Sequence, residues 1–109
     1  MVLRFVETSV FTRQITELLD DSEYAEFQAA LALRPDLGSL ISGTGGLRKV
    51  RWSHAGRGKG KRGGTRVIYY WHQPGEAVYL LVAYSKGQRD DLSAREKKIL
   101  RQLVEEEFK

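Results

Sequence analysis

Cysteine is absent from this 109-residue chain, and only two prolines, one methionine and two histidines occur in it. The lack of cysteine excludes a disulfide scaffold, a thiolate nucleophile and any metal site with cysteine ligands. It also fits the reducing conditions of the cytoplasm, where we expect the protein to act. With so few soft ligands, and no acidic residue in its most basic region, the sequence predicts no metal and no cofactor.

Long hydrophobic runs are absent as well. The longest, Ala77–Tyr84, is far shorter than the roughly 20 apolar residues that span a bilayer, so we expect no membrane association. Glu7 interrupts the N-terminal stretch and no A-x-A cleavage site follows, which argues against a secretory signal. The length, with 41% hydrophobic and 29% charged residues, predicts a single soluble domain over residues 1–109.

Acidic residues are also missing between Asp36 and Glu76, and this gap polarises the chain, whose formal net charge is +4. The gap contains eight basic residues, whereas the rest of the chain has ten basic and fourteen acidic residues. Such a concentration of positive charge attracts polyanions and speeds their encounter. We therefore expect a nucleic-acid partner, with a merely solvated basic face as the alternative. The eight residues are Arg48, Lys49, Arg51, Arg57, Lys59, Lys61, Arg62 and Arg66.

The first third of the chain predicts one strand and two helices. Val2–Glu7 is rich in β-branched and aromatic residues and is typical of a strand. The next helix has Thr8 or Ser9 as its cap. The second begins at Asp20 and Glu23, which have the spacing of a capping box, and it ends before Pro35.

The remainder predicts a three-stranded meander and a last helix. Leu47–His54, Thr65–His72 and Ala77–Tyr84 are joined by short connections, so these strands are expected to be antiparallel. Ala77–Tyr84 is apolar on both faces and is predicted as the central strand. The capping-box spacing of Ser93 and Glu96 starts the last helix. The result is an α+β domain with helices on one side of a mostly antiparallel four-stranded sheet.

The most informative stretch, Gly43–Trp71, reads GTGGLRKVRWSHAGRGKGKRGGTRVIYYW, and Tyr79–Ser93 reads YLLVAYSKGQRDDLS. With FQAALALRPDLG at Phe27–Gly38, these motifs resemble the RelE/HigB superfamily of toxins from bacterial type II toxin–antitoxin modules. The likeness is strongest to the HigB-like branch and covers essentially the whole chain. It implies the small RelE-like fold.

This resemblance implies a ribosome-dependent mRNA endonuclease that enters the ribosomal A site. Its partners would be the ribosome, mRNA and a cognate, DNA-binding antitoxin from a neighbouring gene that neutralises it. The implied reaction is a metal-independent transesterification. In it the ribose 2′-OH attacks the adjacent phosphate and leaves a 2′,3′-cyclic phosphate and a 5′-OH.

Such cleavage needs a group that deprotonates the 2′-OH, cations that stabilise the phosphorane, and a proton for the 5′ oxygen. Ala55–Gly64 reads AGRGKGKRGG and is predicted as a glycine-rich basic loop. Arg66 lies at the start of the strand that follows this loop, and we predict that it clamps the phosphate. Lys59 and Lys61 on that loop are catalytic candidates, since lysine acts as a point charge or, among other cations, as a base. By the resemblance, Tyr84 and Lys86 at the end of the last strand belong to the same site.

The other basic residues of the acid-free stretch are predicted to bind RNA: Arg48, Lys49, Arg51, Arg57 and Arg62. The general base stays open. Some family members carry a tyrosine near the last helix, but Asp90–Lys97 has no aromatic residue, and His54 and His72 are as readily structural.

Two other functions remain open at this stage. One is a non-catalytic inhibitor of translation that binds RNA or the ribosome. The other is a gyrase inhibitor like the ParE toxins, which share the implied fold but act on a protein. The acid-free basic region favours RNA over a protein target.

Overall fold

The computed structural model describes residues 3–53, 64–89 and 91–108, which form three helices and a five-stranded mixed sheet. The chain therefore belongs to the predicted α+β class. Within the described ranges, no helix has the length and apolar character needed to cross a membrane. The elements are β1 (Arg4–Glu7), α1 (Ser9–Leu18), α2 (Asp21–Leu33), β2 (Ser39–Leu40), β3 (Leu47–Trp52), β4 (Thr65–His72), β5 (Ala77–Ser85) and α3 (Ala94–Phe108).

The strand order is β1-β5-β4-β3-β2, with β1 parallel to β5 and the other three pairs antiparallel. The predicted four-stranded sheet is wrong, because β2 adds a fifth strand by pairing Ser39 with Lys49 and Leu40 with Arg48. Two residues are too few to produce a hydrophobic alternation. The prediction for Ala77–Tyr84 is also corrected, since β4 is the middle strand and β5 lies beside it.

Helices cover both faces of the sheet, not one as predicted. The buried residues of α1 and α2 pack with Val67 and Tyr69, whereas Leu92 and Val104 of the C-terminal segment pack with Leu47 and Ile68 on the other face. This arrangement explains why β5 is apolar on both faces, because each of its faces lies against a helix layer.

A β-bulge in β5 decides which of its last side chains face α3. Ile68 pairs with Val82 and Tyr69 pairs with Leu80, so Leu81 is an extra residue on β5. An extra residue inverts the alternation of the side chains that follow it. As a result Ala83 packs on the α1 and α2 face, while Tyr84 packs on the α3 face.

The predicted helix starts are confirmed by their hydrogen bonds. The Thr8 hydroxyl accepts from the Phe11 N–H at 3.0 Å and donates to the Leu81 carbonyl at 2.8 Å, so it caps α1 and ties it to β5. Asp20 and Glu23 form a reciprocal capping box at the start of α2. Ser93 and Glu96 do the same for α3.

Candidate functional site

Four predicted side chains share the α3 face at one end of the sheet. In the register of the strands, Arg51 lies opposite Arg66, and Arg66 lies opposite Tyr84. Directly opposed residues point to the same face with Cβ atoms about 5 Å apart. Lys49 is two residues before Arg51 and therefore points to that face too. We call Lys49, Arg51, Arg66 and Tyr84 the candidate site.

Arg66 is held by the backbone at the start of β4. Its side chain is 5% exposed, and the guanidinium Nη1 donates to the Gly64 carbonyl at 3.3 Å. The same carbonyl accepts from the Lys86 N–H at 3.3 Å, so it links the start of β4 to the end of β5. The fold thus fixes the position of this guanidinium and leaves only a small part of it exposed.

Tyr84 is 2% exposed, and its hydroxyl has no hydrogen-bond partner in the described part of the chain. The guanidinium carbon of Arg89 lies 4.7 Å from the centre of its ring. Burial raises the pKa of Tyr84, Asp91 raises it further, and Arg89 and Arg66 oppose the rise. At neutral pH the hydroxyl is protonated, so it can donate a hydrogen bond but is not a base.

Four residues that the sequence analysis did not assign to the site complete its surroundings. Arg89 forms an ion pair with Glu96 at 2.7 Å. Asp91 lies between two lysines, 3.5 Å from Lys49 and 3.7 Å from Lys97. The two carboxylates therefore hold cations of β3, of the segment after β5 and of α3 against the same face of the sheet.

Both carboxylates are perturbed by these cations. Burial by itself would raise the pKa of Asp91, but the Leu92 N–H together with Lys49 and Lys97 lowers it. For Glu96, the Arg89 guanidinium is the main cause of a lowered pKa, followed by the Ser93 N–H. Each group is thus ionised at neutral pH and compensates part of the positive charge at the candidate site.

The other predicted residues that the structure describes lie outside the candidate site. Arg48 lies on the opposite face, where Nη1 donates to the Gly38 carbonyl at 2.8 Å and secures the connection between α2 and β2. His72 is at the far end of β4, about 20 Å along the strand from Arg66. Lys86 is exposed in the turn after β5. Five candidates lie outside the described residues: His54, Arg57, Lys59, Lys61 and Arg62.

No protein-family model matches the chain. In the described ranges no group of three histidine, cysteine, aspartate or glutamate side chains is arranged to hold a metal ion. The chemistry that the candidate site offers is cationic: guanidinium and ammonium groups that bind phosphate oxygens, and one neutral phenol that donates a hydrogen bond.

Acid should weaken the attachment of α3 to the sheet. The folded-state pKa values of Asp91 and Glu96 lie below their unfolded values of about 4, so their stabilisation is complete above pH 5 and is lost as pH falls through the folded values. Because the Asp91 and Glu96 side chains are 47% and 37% exposed, we expect less than about 1 kcal/mol from each pair. Urea unfolding between pH 7 and pH 3 measures the loss.

Glu96→Gln is the variant of choice for this measurement, because glutamine preserves the capping box with Ser93. The variant should lose less stability on acidification than the wild type. The exposed Glu106→Gln serves as a control and should retain the wild-type slope. An unchanged slope in Glu96→Gln would show that the Arg89 pair contributes nothing to folding.

Proposed function

We propose that the protein is the toxin of a type II toxin–antitoxin module, with a RelE-like fold of the HigB-like branch, and that it cuts mRNA on the ribosome. The observation that carries this proposal is the register of β3, β4 and β5, which aligns Arg51, Arg66 and Tyr84 on one face. The toxin acts in the cytoplasm, where its cognate antitoxin neutralises it.

In the proposed reaction the 2′ oxygen forms a bond to phosphorus and the bond from phosphorus to the 5′ oxygen breaks. The proton of the 2′-OH passes to a base, for which Lys59 and Lys61 are the candidates, and the leaving 5′ oxygen takes a proton from water. Arg66 and Arg51 stabilise the extra negative charge of the phosphorane. The neutral Tyr84 hydroxyl is suited to donate a hydrogen bond to a phosphate oxygen or to the leaving 5′ oxygen.

Asp91 and Glu96 have a supporting role in this proposal. Several cationic side chains on one face of a sheet repel one another when no acidic partner is near, and they then spread into the solvent. The ion pairs of Asp91 with Lys49 and of Glu96 with Arg89 keep these cations over the sheet. RNA phosphates then compete with the carboxylates for positions that are already formed.

A second function is favoured by one specific observation. Arg66 and Tyr84 are 5% and 2% exposed, so neither presents a large surface to RNA in the free protein. A protein that only binds RNA or the ribosome, and so blocks translation without cutting, needs no exposed guanidinium at this position. A ParE-like action on gyrase is the third possibility and is disfavoured by the acid-free basic stretch between Asp36 and Glu76.

The deciding experiment induces the protein in a bacterial host and maps the 5′ ends of cellular mRNA, with and without an inhibitor of translation initiation. New 5′-OH ends at a fixed place within codons, which disappear when ribosomes are idle, are the expected result. Growth arrest without new ends would contradict cleavage and favour a block of translation. Growth arrest with DNA-damage signalling would favour gyrase. Co-expression of the neighbouring gene should restore growth.

A further inference from the structure

A polar pocket opens at the outer edge of β5, where β1 no longer covers it. The residues of β1 pair only with Ala77–Leu80, so among the described residues no strand lies beside the second half of β5 on that side. The pocket there has a volume of about 190 Å³. Its polar side chains come from α1 and from the turn after β5: Gln14, Glu17, Gln88 and Arg89.

Hydrogen bonds within the fold determine what this pocket offers to a ligand. The Oε1 atom of Gln14 accepts from the Ala83 N–H at 2.8 Å, and that of Gln88 accepts from the Ser85 N–H at 2.9 Å. The amide oxygens are thus engaged, which leaves the NH₂ groups of the two glutamines as the donors available to a ligand. Arg89, whose Nη1 is held by Glu96, adds its other guanidinium donors, while the exposed Glu17 supplies a carboxylate that only accepts.

The pocket lies beside the candidate site. Tyr84 lines it, and Tyr84 is directly opposite Arg66 on the neighbouring strand. Adjacent strands are about 4.8 Å apart, so the pocket beyond the edge of β5 is about two strand spacings, roughly 10 Å, from Arg66 on β4. One nucleotide spans about this distance from its phosphate to the far edge of its base. The volume is below the range of roughly 300–1,000 Å³ that is usual for sites of drug-sized ligands, and it suits one planar ring system.

We propose that this pocket binds one base of the RNA next to the scissile phosphate, and that it selects a base with a ring N–H beside a carbonyl, namely guanine or uracil. This inference rests on the proposed function. The Glu17 carboxylate accepts the ring N–H, and the amide and guanidinium donors bind the carbonyl oxygen. Adenine and cytosine present a ring-nitrogen lone pair at the same place, which a carboxylate repels.

The first test compares base preferences at the cut sites of the wild type, Glu17→Gln and the control Glu106→Gln. Both variants lose one exposed negative charge, but only Glu17 lines the pocket. The wild type should favour guanine or uracil at one fixed nucleotide beside the cut. Glu17→Gln should lose about tenfold of that preference while cutting continues, because one good base contact has about this worth. An unchanged preference in Glu17→Gln would overturn the proposal.

The second test needs no cleavage. The side-chain NH₂ signals of Gln14 and Gln88 are followed by ¹⁵N NMR while GMP, UMP, AMP or CMP is added at millimolar concentration to the purified protein. GMP or UMP should shift these signals, and the one that shifts them more identifies the base. Equal shifts from all four nucleotides, or no shifts at all, would contradict the proposal that the pocket selects guanine or uracil.

The two tests separate the pocket from the enzyme. Shifts with GMP or UMP in a protein that makes no new RNA ends would support the pocket and contradict the endonuclease. New ends without shifts, and with no effect of Glu17→Gln on base preference, would support the endonuclease and contradict the pocket.

Discussion

Arg66→Ala is expected to reduce mRNA cleavage by about 100- to 1,000-fold, the usual effect of removing one donor that stabilises a developing negative charge. RNA affinity should fall far less, because Lys49 and Arg51 remain on the same face of the sheet. Cleavage is measured as the frequency of 5′-OH ends on translated mRNA, and affinity as binding of the protein to ribosomes at several salt concentrations. A selective loss of cleavage is the signature of an interaction made in the transition state.

Two comparison variants and a test of folding make this result interpretable. Arg66→Lys retains the charge but not the planar fork of donors, so we expect a loss of only about tenfold. Arg13→Ala removes an exposed cation on α1, away from the candidate site, and should cut normally. Because Arg66 is buried, thermal unfolding must show that Arg66→Ala is still folded at the assay temperature.

A non-catalytic role for Arg66 has a different signature. Cleavage would then fall in proportion to affinity. If the protein does not cut RNA, its inhibition of growth would fall in the same proportion. The plot of log affinity against log salt would lose about 0.7 in slope, as expected for one lost contact to single-stranded RNA. A proportional loss of this kind would contradict the assignment of Arg66 as a transition-state clamp.

The local features of the fold were predictable because they are written in short stretches of sequence. A run of strong β-formers predicted β4 at its observed bounds, and the other two strands of the meander were predicted to within two residues. The capping boxes at Asp20 and Ser93 were predicted from spacing alone, since their partners lie three residues away.

The features that the sequence analysis did not predict depend on pairing and packing between separate elements. β2 is a strand only because Ser39 and Leu40 pair with Lys49 and Arg48 of β3, and two residues show no pattern of their own. The parallel pairing of β1 with β5 joins residues more than 70 positions apart. The second helix layer was missed because a strand that is apolar on both faces was interpreted as central, and not as a strand covered by helices on each side.

The candidate site could be predicted only in part, because some of its residues are brought together by neighbouring strands and others by distant ion pairs. Short antiparallel connections imply that Arg51, Arg66 and Tyr84 are near neighbours, although the bulge at Leu81 sets the face of Tyr84 and left no trace in the hydrophobic pattern. Arg89 was missed because its role follows from its ion pair with Glu96 across a turn. Asp91 was missed because its partner Lys49 lies 42 positions earlier in the chain, and no local pattern links the two.

Gly64→Ala is expected to be the most destabilising single-methyl change beside the candidate site. Gly64 has a φ of +73°, and an added Cβ would lie 2.6 Å from the Trp52 carbonyl oxygen. That oxygen cannot move away easily, because the Trp52 backbone is paired with Thr65 at the start of β4. The left-handed backbone costs an alanine about 1 kcal/mol, and the overlap adds about 1–3 kcal/mol.

Gly43→Ala provides the control that isolates the steric part. Its φ of +74° is the same within a degree, but an added Cβ there meets nothing within 4 Å. Gly43→Ala should therefore lose about 1 kcal/mol, and Gly64→Ala about 2–4 kcal/mol, in urea unfolding at neutral pH. Equal losses in the two variants would show that the close packing of Gly64 against β3 does not matter.

RNA cleavage should also differ between Gly64→Ala and Gly43→Ala. The Gly64 carbonyl accepts from both the Arg66 guanidinium and the Lys86 N–H, so moving this residue displaces the start of β4 relative to the end of β5. At a temperature where both variants are folded, Gly64→Ala should cut at least tenfold less RNA than Gly43→Ala, because small displacements of a positioned group are costly. Equal cleavage would mean that the chemistry does not depend on how Gly64 holds Arg66.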